Sequence, residues 1–221
     1  MTAPQGWLDR CLVGFVFSLA RTGQRLPGGG RPTGILHVFA FAEQLLEVGH
    51  VIRPLREGGV LRYEVTRLPS GTRPLPLDPP LQPGDPIIRI HLNNETVACL
   101  LDMGHNRRRL GWDVFRGAES DLTVLATMVQ SGAFPPDIRA VWAETVMYRK
   151  LARIGMVTRE AKPGLRRPFA RLYALSLMAI YGSPGLIDRD ADRLRHFQLG
   201  DGWIDMADLT RRYGKETPPG C

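Results

Sequence analysis

The sequence predicts an α+β fold, a mixed sheet with flanking helices in a single compact domain spanning residues 1–221. Two periodicities carry this reading. Residues 60–68 and 87–93 alternate apolar and polar side chains as strands do. Residues 7–24, 35–48, 121–131 and 169–181 instead repeat apolar side chains at helical spacing. A strand–helix–strand unit at 138–160 is too short for an ordinary Rossmann half.

The elements follow in order. Trp7, Leu8, Cys11, Leu12, Phe15, Val16 and Leu19 share one face, so 7–24 reads as an amphipathic core helix. The apolar run from Cys11 to Ala20 leaves a signal segment or a membrane-surface helix open as alternatives. The glycine-rich loop Leu26–Gly34 lacks the Gly-Lys-Ser/Thr ending of a P-loop. A second helix, 35–48, stops at Gly49, and Arg53-Pro54 breaks the chain. Val60–Leu68 is a strand, followed by an extended, proline-dense stretch, Pro74–Pro86.

The strand at 87–93 is predicted to be central. Ile88, Ile90 and Leu92 form its inner face, and Arg89, His91 and Asn93 the other. Asn93 or Asn94 is placed to cap a helix over 95–101 that begins near Glu95. Residues 107–109 read as a solvated arginine loop, and Asp121–Ser131 as a helix ended by Phe134-Pro135-Pro136-Asp137. Ile138–Met147 reads as a strand, Tyr148–Ile154 as a short helix stopped by Gly155, and Met156–Glu160 as a strand. Lys162–Arg167 is a basic loop before the helix 169–181. His196–Met206 reads as a strand interrupted at Gly200-Asp201-Gly202, then come a helix at 207–213 and a flexible tail at 215–221.

Composition narrows the function classes. Hydrophobic residues make up 43% of the chain, enough for a proper core and too many for a disordered protein. The net charge is +7, and only three of the 29 basic residues are lysines. GC-rich coding accounts for such an arginine bias, as does selection for bidentate contact with phosphate or carboxylate. Either way a positive surface favours anionic neighbours: an acidic polymer, a membrane face or nucleic acid. Cys11, Cys99 and Cys221 show no metal spacing and no disulfide framework; the first two read as buried thiols. No apolar run is long enough to span a bilayer, so a cytoplasmic location, or one peripheral to the inner face of the membrane, is expected.

Several blocks together resemble the YkoP-like domain, which is often found fused to or near bacterial polysaccharide deacetylases. They are Leu81-Gln-Pro-Gly-Asp85, Ile90-His91-Leu92-Asn93-Asn94-Glu95, Leu151-Ala-Arg-Ile-Gly155, the 169–181 helix and Met206-Ala-Asp-Leu-Thr-Arg-Arg-Tyr213. The resemblance covers most of the chain. It implies a cell-envelope or polysaccharide context and possible association with polysaccharide-modifying enzymes. Deacetylase chemistry does not transfer, because the chain has no paired Asp-Asp and no His-x-x-x-His motif.

Two function classes follow. The first is an accessory or binding domain for a polar, anionic glycan or glycolipid. Its ligand-binding candidates are Arg89, His91, Asn93 and Asn94, with Arg107, Arg108 and Arg109 at the rim. The second is a small enzyme acting on such a substrate, with His91 as acid/base and Glu95 as its carboxylate. Nucleic acid ranks last, since charge alone supports it. No metal or cofactor is expected: His91 and Glu95 would need Asp102 or His105 to complete a metal site, and the spacing does not suggest one.

Overall fold

The computed structural model describes residues 51–102, 107–145, 147–161 and 199–214. The expected helices 7–24, 35–48 and 169–181, the loops 26–34 and 162–167, the tail 215–221 and the extent of one domain across 1–221 lie outside them. Within the described part the fold is α+β. Six strands form one mixed sheet: β1 (Arg53–Pro54), β2 (Leu61–Arg67), β3 (Pro86–Leu92), β4 (Ala140–Thr145), β5 (Val157–Glu160) and β6 (Gly200–Asp205). Their order is β1-β2-β3-β4-β6-β5, which places β3 inside the sheet, as its sequence predicted. Only the β3–β4 pairing is parallel. β4 and β5 both run antiparallel to β6, which lies between them. That insertion is how so short a strand–helix–strand unit is accommodated.

Four helices are described: α1 (Asn94–Asp102), α2 (Arg107–Gln130), α3 (Tyr148–Leu151, continued by a 3-10 turn at Ala152–Ile154) and α4 (Met206–Tyr213). One face of the sheet supplies Leu61, Ile88, Ile90, Val141 and Ile204 to the main core, where they meet Leu122, Leu125 and Ala126 of α2 and Leu209 of α4. Each such buried side chain contributes roughly 2 kcal/mol by burial. Buried Asp121 ties α2 to the β1–β2 corner, accepting from the Leu61 amide at 2.8 Å and from Arg56 Nε at 2.5 Å. Asp205 caps α4 by accepting from the Asp208 amide at 2.6 Å.

Five local expectations are corrected. Arg53-Pro54 is an edge strand on β2, a position where proline's missing N–H does no harm. The proline-dense segment does not stay extended: Leu75 and Leu81 bridge each other and are buried. With Leu68, Ile87, Ala140, Trp142 and Trp203 they form a second, smaller core on the sheet's other face. Arg107–Arg109 are helical, because α2 starts at Arg107, well before Asp121. Gly117 does not break α2 but lets it approach β2, since a Cβ there would meet both Val60 methyls at 2.9 Å. Gly200-Asp201-Gly202 does not interrupt β6. A Cβ on Gly200 or Gly202 would collide with Tyr148 or Leu151, so the glycines make room for α3 while Asp201 faces the other way. Finally, Cys99 is exposed; the partly buried side chain that α1 packs on the main core is its neighbour Leu100.

Candidate functional site

The face of the sheet opposite the helices carries an unusual density of charge. Alternation within β2 and β3, together with their antiparallel register, sets Arg62 opposite His91 and Glu64 opposite Arg89. Across the parallel pairing, Arg89 lies beside Trp142, and Trp142 lies beside Trp203 on β6.

Glu64 is the hub. Its carboxylate is 3% exposed, with Oε1 3.0 Å from His91 Nε2 and 3.5 Å from an Arg89 terminal nitrogen. The Arg89 guanidinium also lies over the Trp142 ring, 5.4 Å from its centroid. Trp142 is fully buried and forms a fixed floor. Arg89 and His91 nevertheless keep 26% and 27% of their side-chain surface exposed, so both can be reached from solvent.

Protonation follows from this geometry. Burial lowers the His91 pKa below 6.5, and the positive charges of Arg89 and Arg62 lower it further, against the hydrogen bond and charge of Glu64. The imidazole is therefore neutral at neutral pH. A carboxylate can only accept, so Nε2 carries the proton toward Glu64 and Nδ1 keeps its lone pair. The imidazole feels the guanidiniums of Arg89 and Arg62 against the carboxylate of Glu64.

The other residues singled out by sequence are placed differently. Asn93 Nδ2 donates to the Gly59 carbonyl at 3.0 Å, and its Oδ1 is buried without a hydrogen-bond partner among the described residues. Its side chain thus does not cap α1. Asn94 is the first residue of α1. Glu95 is exposed in the first turn, where a carboxylate is favoured by the helix dipole. The carboxylate brought to His91 is Glu64, not Glu95. Arg107, Arg108 and Arg109 lie in the first turn of α2, the helix packed on the opposite face of the sheet. Among the described residues no group of three acidic, histidine or cysteine side chains is arranged for a metal ion.

Sequence reading missed Glu64, Trp142 and a second polar cluster beside them. Buried Asp201 accepts from Arg159 Nε and a terminal nitrogen at 2.9–3.1 Å, and from Trp142 Nε1 at 3.3 Å. Arg159 also donates to the carbonyls of Arg73 and Pro74 at 2.6 and 2.8 Å, fastening the proline-rich loop over the smaller core. One sequence signal for Asp201 existed: Asp201, Trp203 and Asp205 alternate with Gly200, Gly202 and Ile204. Glu64 could be found only by pairing two strands far apart in the chain.

Comparison with curated proteins and with solved structures gives no match. The family model of the YkoP domain matches residues 33–212, a span that includes every residue of this polar face. With most of its length covered, the chain belongs to the YkoP domain family.

Proposed function

We propose that this protein is a binding module of bacterial cell-envelope polysaccharide or glycolipid metabolism that recognises an anionic group on a polar ligand. One observation carries the reading: Arg89 is held from two sides, by Glu64 and by the Trp142 ring, yet stays partly exposed beside a neutral His91. A guanidinium fixed before the ligand arrives loses little freedom on binding, and its planar fork matches a carboxylate or phosphate. His91 Nδ1 offers an acceptor for a neighbouring hydroxyl. The YkoP resemblance supports the polysaccharide context.

The experiment is titration of the protein with a uronic-acid oligosaccharide and with a glycerol-phosphate oligomer, using a neutral chito-oligosaccharide as control. His91 ring resonances are followed by NMR. An anionic oligomer should shift them, and Arg89→Lys should weaken that binding by about tenfold, because an ammonium cannot form two parallel bonds. If none of the three oligomers perturbs His91, the proposal fails.

The His91–Glu64 pair favours a second reading, a small enzyme on the same class of ligand. A neutral imidazole oriented by a buried carboxylate is suited to general-base work. Turnover of either anionic oligomer that disappears in His91→Ala would favour it over simple binding.

A further inference from the structure

We propose that the anion site is proton-switched, with Glu64 as the pivot: a proton on His91 tightens the grip of Arg89 and His91 on an anionic group. This rests on the binding role proposed above for the pair and adds its regulation. The basis is that two partners share one carboxylate oxygen. Glu64 Oε1 lies 3.0 Å from His91 Nε2 and 3.5 Å from an Arg89 terminal nitrogen. The Glu64 side chain is 3% exposed, so water screens these contacts weakly. Arg89 and His91 both keep part of their surface open to solvent, on one face of one strand.

Protonation changes two things in this geometry. With a neutral ring, Nε2 donates to Glu64 and Nδ1 can only accept; with a charged ring, both nitrogens donate. Nδ1 thus turns from a hydroxyl acceptor into a donor that can bond the anion itself. At the same time Glu64 gains a full ion pair through its closer contact, so less of its charge opposes an anion at Arg89. The charged neighbours come from three strands. Strand β2 brings Glu64 and Arg62, and β3 brings Arg89. Strand β4 adds Glu144, the next position on this face after Trp142; its register partner on β6 is Asp201, which Arg159 holds. Burial and the two arginines keep the ring neutral at neutral pH, so the switch works in mild acid. An anion at Arg89 offsets the guanidinium charge felt by the ring, so anion and proton each favour the other.

The test is calorimetric titration of the full chain with the glycerol-phosphate and uronic-acid oligomers from about pH 7.5 to about pH 5, a range in which both probes keep their charge. Affinity should rise by about tenfold as His91 takes up its proton, the effect of one added charge a strand repeat away. The chain has five histidines, so His91→Gln is titrated beside wild type to subtract the others; the rise should be absent in it. A second measurement needs no variant. By NMR, saturation with the oligomer should raise the pH at which the His91 ring titrates by about one, the same tenfold coupling seen from the proton. If neither oligomer binds at either pH, the binding role itself fails. If an oligomer binds but its affinity stays within about twofold across the range, or rises equally in His91→Gln, the switch alone is overturned. A His91 midpoint that the bound oligomer leaves unchanged overturns it as well.

Discussion

Two arginines on the same face of one sheet, Arg89 and Arg159, have similar partners and opposite fates. Each faces a buried carboxylate and lies over a tryptophan: Arg89 with Glu64 and Trp142, Arg159 with Asp201 and Trp203. Arg159 uses its remaining donors on two loop carbonyls, so it works as a clasp for residues 73–74. Arg89 reaches its carboxylate by one longer contact, 3.5 Å from Glu64, and shares that carboxylate with a histidine. What separates a structural arginine from a binding arginine here is not its class of neighbour but where its remaining donors point.

The largest effect should come from breaking the clasp. Arg159→Ala leaves Asp201 buried without its counter-charge and frees the proline-rich loop, at a cost of about 3 kcal/mol in urea unfolding. Arg89→Ala should cost less, since its contact to Glu64 is longer and Glu64 keeps its hydrogen bond to His91. Equal costs for the two would erase the distinction drawn between them.

A second pair of substitutions sharpens the same contrast through His91. Glu64→Gln removes an attraction that raises the imidazole pKa, so NMR titration should find it lower than in wild type. Arg89→Ala removes a repulsion that lowers it, so the value should rise. Shifts in the reverse directions would mean that the charges around His91 are arranged otherwise.

The smallest effect is on stability against pH. The folded His91 pKa lies below its unfolded value, so the unfolded chain takes up the proton first on acidification. Stability carried by neutral His91 is full above about pH 6.5 and is lost as pH falls toward the folded pKa. Between pH 7 and 5 the melting temperature should therefore fall more steeply in wild type than in His91→Gln. Parallel slopes would show that other groups govern acid sensitivity.

Local sequence determined a good deal. The strict alternation around Ile88, Ile90, Arg89 and His91 specified a strand and its two faces, because successive side chains in extended backbone must point to opposite sides. The strands at 61–67 and 157–160, the Gly155 stop and the final helix were legible for the same reason: each rests on a short-range period or a local backbone need. The arginine-rich tract before Leu110 shows the limit of that reading: it is helical although consecutive arginines form no apolar stripe.

Only tertiary structure decided which charges meet. Glu64 reaches His91 across 27 residues of sequence, and Arg159 reaches Asp201 across 42. Neither contact has any period to betray it. The same holds for Gly200-Asp201-Gly202, which reads locally as a break. It becomes a strand because α3 needs the space that two missing side chains leave and the opposite face needs the carboxylate between them. A polar residue's partner is set by strand order and register, which depend on how the whole sheet closes over its core. For this protein, sequence therefore named two members of the polar face, Arg89 and His91, and packing alone supplied the carboxylate and the indole that hold them.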